Sequence, residues 1–332
     1  MKNFKLKLTY NTVLLIILVA LVCLFGALIP GGRFFDPKIL LNTVTDVAYL
    51  GLMALPMTFI IITSGIDLSV GFMMTASAMI FSRVLAATSN IFIAMIVGLL
   101  CGLAFGLLNG VIIGNTKIPP LIATLATMSI FQGITWFIGG SHSFSSDNVL
   151  VQIGNGKIAG IIPNQLIIFL VLFIIFDIVQ RKTTLGRSVH SIGFNENCVD
   201  YSGISTKKVK IIIYGLCGFM CAFAGFMFMG RSFEINSTTA LNMNLEVITL
   251  VVLGGTSTSG GVGSIRGTAI ATLIIGVLKK GLALYGLSGD VYNFILGAVL
   301  VVSLIVFAQL EKKKKINSRK LAESALKASI AW

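Results

Sequence analysis

The sequence predicts an all-α polytopic membrane protein of about ten transmembrane helices. Two observations carry that expectation. Uncharged runs of about twenty residues recur along the 332-residue chain, and the charges between them gather in blocks. Composition agrees: 56% of residues are hydrophobic and only 11% are charged, against roughly 25% charged in an ordinary soluble domain. Mean hydropathy is +0.96. A hydrocarbon slab of ~30 Å needs about twenty helical residues per crossing.

The first run, Asn11 to Ile29, follows a basic start and so resembles a secretory signal. Its apolar stretch exceeds a signal's apolar region, however, and the Gly-Gly-Arg-Phe after Pro30 is a poor small-residue cleavage site, so it reads as a retained first span. Further spans are expected near Val44 to Thr63, Gly71 to Ala87, Ile91 to Gly114, Pro120 to Ile138 and Ile162 to Val179. Ile211 to Met229, Leu245 to Leu253, Gly267 to Tyr285 and Tyr292 to Phe307 complete the series. The eighth is too short to cross as written and meets glycines at its end. The whole chain, 1–332, reads as a single transmembrane domain.

The net charge of +13 invites a nucleic-acid reading, but 16 of the 25 Lys and Arg fall in three places. They are Lys2, Lys5 and Lys7; Arg181, Lys182, Arg187, Lys207, Lys208 and Lys210; and a tail, 309–332, with Lys312 to Lys315, Arg319, Lys320 and Lys327. Each block adjoins the end of an apolar run, the bias that holds loops in the cytoplasm. Ten crossings return both termini to one side and place all three blocks inside. Membrane lipid is thus the expected surroundings, and no nucleic acid is expected as a partner, since no aromatic-interleaved basic surface accompanies the charges.

The five cysteines lack paired spacing, and His142 and His190 are the only histidines, so no metal site is expected. Cys217 and Cys221, one helical turn apart, read as small apolar residues at a packed face. No paired-carboxylate or His-rich constellation suggests an enzyme. The stretch GGTSTSGGVG from Gly254 superficially resembles a phosphate loop, yet it lacks the Gly-Lys-Ser/Thr ending and has no acidic partner. No cofactor is expected.

Two Gly/Ser-rich breaks interrupt apolar runs: SGIDLSVG from Ser64, and GGTSTSGGVGSIRGT from Gly254. Irregular backbone at membrane depth survives only where protein or a water-filled cavity satisfies its amides, so both breaks suggest close packing or a lined pathway. Asp67 has two readings: a cap on the helix beginning around Ser69, or a charge in a permeation path. Lys279 and Lys280, late in the ninth span, either snorkel to the interface or line an aqueous vestibule. Two weakly basic segments suit the outer side: Gly139 to Asn164, with Ser141 to Ser146 and Asp147, and Arg231 to Glu246.

Four ordered motifs then become specific. SGIDLSVG (Ser64 to Gly71), PLIATLATMSIFQGI (Pro120 to Ile134), TTLGRSVHSIGFNENCVDYSGI (Thr183 to Ile204) and VVLGGTSTSGGVGSIRGT (Val251 to Thr268) together resemble the ribose-type sugar permeases of bacterial ABC importers. The likeness covers the chain from about Thr43 to Phe307, and through Ala54, Leu55 and Pro56 it is similar to the autoinducer-2 and rhamnose permeases within that family. The resemblance implies a vitamin B12-importer-like architecture in the bacterial cytoplasmic (inner) membrane, with two permease copies per transporter. Its implied partners are a cytoplasmic ATPase with tandem nucleotide-binding cassettes, which alone hydrolyses ATP, and an extracytoplasmic sugar-binding protein that delivers substrate.

From Arg181 to Lys210 the chain leaves the membrane, is basic, and holds a short helix near Glu196 to Ser202 that ends at Gly203 as helix C-caps do. The resemblance implies that this is the loop docking on the ATPase, with Gly186, Arg187, Gly193, Asn195, Glu196, Ser202, Gly203 and Ile204 as its motif residues. Cys198, Val199 and Asp200 depart from the alanine-rich helix expected there. The path or its scaffold is expected at Asp67, Ser69, Gly71, Thr124, Gln132, Gly254 and Gly255. The alternative function is an ion- or proton-coupled transporter, which would ordinarily show several ionisable groups arranged as a relay; Asp67, Asp177 and Glu246 are few and near span ends.

Overall fold

The computed structural model describes residues 10–143, 149–305 and 309. Lys2, Lys5, Lys7, Asp147, the end of the tenth expected run and the basic tail from Lys312 lie outside them. Fourteen α-helices are described. The first six are α1 (Tyr10–Leu28), α2 (Pro37–Thr45), α3 (Ala48–Ile62), α4 (Val70–Thr88), α5 (Ile91–Asn115) and α6 (Pro120–Ile138). A strand β1 (Ser141–Ser143), helix α7 (Val149–Asn155) and the small hairpin β2 (Lys157–Ile158) and β3 (Ile162–Pro163) lead into α8 (Asn164–Lys182). Then come α9 (Thr184–Phe194), α10 (Glu196–Tyr201), α11 (Thr206–Ser232), β4 (Glu234–Asn236), α12 (Met243–Leu253), α13 (Ile265–Leu284) and α14 (Gly289–Ile305).

Every expected apolar run lies on a helix, but length separates them. Seven helices, α1, α4, α5, α6, α8, α11 and α13, are long and apolar enough to cross a membrane, and the pair α2 and α3, bent by 48°, brings the number to eight. Helices α12 and α14 are shorter apolar helices. The helix starts follow the local chemistry: Asn90 accepts from Phe92 N and Ile93 N at the head of α5, Ser205 caps α11 and Ser264 caps α13.

All fifteen residues of α3 are buried. A helix apolar on every side belongs at the centre of a bundle, and α8, α11, α12 and α13 pack around it. Helices α1, α5, α6, α8 and α14 instead expose large apolar side chains, among them Val19, Leu100, Ile122, Ile174 and Val302. That is the arrangement of a protein whose solvent is lipid.

Lipid tails give apolar helices little reason to leave them, so close contact between helices depends on small residues. On α5, Gly98, Gly102, Gly106 and Gly110 recur every fourth residue and are buried. A Cβ on Gly102 would stand 2.5 Å from the Gly218 carbonyl oxygen of α11, and one on Gly110 would stand 2.7 Å from Ile211 Cα. This stripe seats α5 on α11.

At the end of the bundle away from α9, β1 pairs antiparallel with β4, Ser141 opposite Asn236 and Ser143 opposite Glu234. The two segments expected separately on the outer side are therefore joined. Lys279 and Lys280 both form ion pairs. Lys280 donates to Asp46 Oδ2 at 3.0 Å, at the bend between α2 and α3, where Arg231 also binds Asp46. Lys279 lies 3.6 Å from Glu246 and over the Tyr292 ring.

Candidate functional site

The first break turns on a carboxylate with no exposure. Asp67 Oδ1 accepts from Ser69 N at 2.8 Å and from Ser69 Oγ at 2.6 Å, and Asp67 Oδ2 accepts from Asn109 Nδ2 at 3.2 Å. Asn109 also donates to Ser69 Oγ. Thr124 Oγ1 accepts from Leu68 N and donates toward Ile66 O, tying the break to α6. Asp67 thus organises the turn ahead of α4, while a first-turn amide of α4, Gly71 N, is capped from another helix: it donates to Asn244 Oδ1 of α12 at 2.7 Å.

The second break lies against the first. Ser64 Oγ donates to Ser259 O at 3.0 Å, and Gly261 N donates to Ile62 O at 2.8 Å. Above them, the hydroxyls of Thr58 and Thr268 are 2.8 Å apart, joining α3 to α13. Gly254 presses against the backbone of Gly267 and Thr268, and Gly255, at φ +95°, passes close to the Tyr10 ring. The two interrupted helix pairs, α3 with α4 and α12 with α13, therefore meet at their breaks.

Helix α9 holds this junction from the loop side. His190 Nδ1 is 2.9 Å from Gly261 O; a carbonyl can only accept, so Nδ1 carries the proton and Nε2 accepts from Gln180 Nε2. Gln180 also donates to Gly263 O at 3.0 Å and accepts from Ile265 N at 2.9 Å. A Cβ on Gly193 would overlap both Ile62 O and Gly261 N. One glycine of α9 thus touches both breaks at once, and only a residue without a Cβ fits there.

Beyond α9, Asn195 caps α10 by accepting from Cys198 N at 3.1 Å, and Gly203 closes it at φ +82°. Glu196 pairs with Lys210, and Ser202 Oγ donates to Cys198 O. The residues that depart from an alanine-rich helix have structural work: Val199 is buried, and Asp200 accepts from Thr206 N and Thr206 Oγ1, capping α11. Gly186 is buried against the end of α8, whereas Arg187, Asn195, Ser202, Gly203 and Ile204 are exposed. Phe194 and Tyr201, 71% and 93% exposed, stand out among them as bare aromatic surface.

The structure gathers Asp67, Ser69, Gly71 and Thr124 into one network, and Gly193, Gly254 and Gly255 into the packing of the second break. Gln132, half-buried two turns further along α6, joins none of these bonds. Asn109, Asn244, Gln180 and His190 were not singled out from sequence. Three of them are polar residues inside or at the end of apolar runs, which is the signal that could have found them. Asp46, at the bend of α2 and α3, carries the same signal.

Residues 39–304 match the family model described as the branched-chain amino acid transport system / permease component. The chain belongs to that permease family. This permease is 37% identical to the ribose import permease protein of Bacillus subtilis, over 85% of the chain and 87% of the relative. It is 34% identical to the ribose import permease protein of Escherichia coli K12, over 88% and 91%. With the autoinducer 2 import system permease protein of Klebsiella pneumoniae, identity is 32% over 90% and 91%. No solved structure matches the permease.

Proposed function

We propose that this chain is the membrane-spanning subunit of an ATP-driven importer for a sugar or sugar-like molecule in the bacterial cytoplasmic membrane. The chain, 1–332, acts as one permease unit paired with a second copy. A cytoplasmic ATPase with tandem cassettes drives it, and an extracytoplasmic binding protein delivers the substrate. In this reading α12 and α14 also cross, giving ten spans, both termini in the cytoplasm and a vitamin B12-importer-like arrangement.

The observation that carries the reading is the seat of α9. The loop between α8 and α11 is clamped to both breaks through Gly193, His190 and Gln180, so a push on its exposed face reaches α3, α4, α12 and α13 together. Phe194, Tyr201 and Ile204 supply that face. The relatives named as ribose and autoinducer 2 import permeases supply the substrate class. The permease itself performs no bond chemistry; it opens and closes a polar path near Asp67, Thr124 and Gln132.

Proton-coupled transport is the second reading, favoured by Asp46 and Glu246, carboxylates held between helices. Both are paired with cations across helices and form no chain through the bundle, so they serve better as ties than as a relay. Labelled ribose uptake into vesicles holding the complete transporter separates the two. Uptake that requires internal ATP and survives a protonophore supports the importer; uptake that follows the proton gradient and ignores ATP overturns it.

A further inference from the structure

A cavity of about 510 Å³ opens where α1, α8, α9 and α13 converge beside the second break. Its lining includes Asn11, Asp177, Arg181, His190, Ser264 and Arg266. That volume falls in the range of small-molecule sites, about 300–1,000 Å³. Arg266 binds Asp177 through two hydrogen bonds of 2.9 and 3.0 Å, and Arg181 lies 3.5 Å from the same carboxylate. Two guanidiniums share one carboxylate, so the lining carries a net positive charge. Both stay open to solvent, at 49% and 54% exposure.

What lies next to the cavity decides the ligand. Along α8, about one to three turns before Arg181, Ile178, Ile174 and Val171 are exposed, and on α1 so are Val13, Ile16 and Ile17. Helix α13 packs against both α1 and α8, so these apolar faces border the charged cavity. A ligand matched to this surface has a compact anion joined to long apolar chains. Guanidiniums bind phosphate oxygens in a planar, two-pronged geometry, and basic pockets between membrane helices at the cytoplasmic side suit anionic headgroups.

We propose that this cavity binds the phosphate headgroup of an anionic glycerophospholipid, whose acyl chains lie along the exposed faces of α1 and α8. Arg181 and Arg266 hold the phosphate, and Asp177 pre-sets the two guanidiniums while moderating their charge. The bound lipid braces the junction of α8, α9 and α13, because His190 and Gln180 link the cavity wall to Gly261 and Gly263. This inference rests on the membrane placement of α1 and α8 and is independent of what the permease transports.

The test uses the purified full-length chain in neutral detergent, with bound phosphatidylglycerol and phosphatidylcholine of matched acyl chains counted by native mass spectrometry. Each basic residue near an anionic surface is worth about fivefold in binding. Phosphatidylglycerol should be retained about fivefold or more over phosphatidylcholine, and Arg181→Gln with Arg266→Gln should remove that preference. Asp177→Asn should raise phosphatidylglycerol retention, a gain that a damaged fold does not produce. Lys117→Gln with Lys207→Gln, the same charge change away from the cavity, should leave retention unchanged.

Equal retention of the two lipids, or equal loss in the Lys117 and Lys207 variant, would overturn the site. Displacement of the lipid by water-soluble glycerol phosphate at equal concentration would make it a soluble-phosphate site instead and sink the lipid assignment. Loss of ATPase capture by the double arginine variant with phosphatidylglycerol retention intact would mark the cavity as a protein contact, and would equally overturn it.

Discussion

Asp67 offers the sharpest separation between a structural carboxylate and a transport charge. Its two oxygens accept three hydrogen bonds, from Ser69 N, Ser69 Oγ and Asn109 Nδ2, and all three residues are fully buried. In Asp67→Asn the side-chain oxygen keeps both Ser69 donors. The new amide nitrogen meets Asn109, whose buried Oδ1 has no partner and can accept if that amide turns over. The net change is about one hydrogen bond, or about 1 kcal/mol, and loss of a buried charge offsets part of it.

Asp67→Leu instead leaves up to three donors unpaired at about 1–3 kcal/mol each. Rotation of the Ser69 hydroxyl recovers some of this, so the expected loss is about 3–5 kcal/mol. The buried thiols of Cys217 and Cys221 report unfolding of the detergent-purified protein to a thiol-reactive dye. At about 2 °C per kcal/mol for a chain of this size, Asn should melt within a few degrees of the native protein and retain uptake. Leu should melt about 5–10 °C lower. Native stability in both variants with uptake abolished in both would refute the structural account and make the charge itself the functional element.

Gly203→Val should insert normally yet lose uptake, because Gly203 closes α10 at φ +82° and a β-branched residue resists that region by about 1–2 kcal/mol; vesicle uptake at matched expression checks it. Asn244→Leu removes the acceptor for Gly71 N and should lower the melting temperature by the worth of one helix cap, about 1 kcal/mol, whereas Asn244→Asp should restore it. Single cysteines at Ser146, Ser205 and Ser318 in a cysteine-free chain should react with an impermeant thiol reagent on intact cells only at Ser146. Labelling at Ser205 or Ser318 would break the ten-span arrangement and the cytoplasmic placement of α9 and α10.

Much of this fold was legible because lipid imposes one strong requirement, long uncharged runs, and each run placed a helix. The bend at Asp46 was not legible: the apolar pattern runs through Val47 without a proline or glycine to mark it. Crossing number was only partly legible, since α12 is 11 residues long and ends in irregular backbone. In the site, local signals worked where the chemistry is local. Gly203 and Asp67 could be read from their own neighbours in sequence. The partners Asn109, Asn244 and Gln180 could not, because each acts across 40 to 173 residues of chain through tertiary contact. The glycine stripe of α5 was readable as a four-residue period, but its partner on α11 was set only by packing.

Gly193→Ala tests the clamp of α9 on both breaks directly. A methyl there would overlap Ile62 O and Gly261 N, both backbone atoms that cannot swing aside. An overpacked contact costs about 1–3 kcal/mol, enough to shift the junction while the exposed face of α10 still docks. The measurement is substrate taken up per ATP hydrolysed by the complete transporter in proteoliposomes, native and Gly193→Ala side by side. Hydrolysis should persist while uptake per ATP falls by about tenfold or more; a ratio equal to the native one would contradict the clamp.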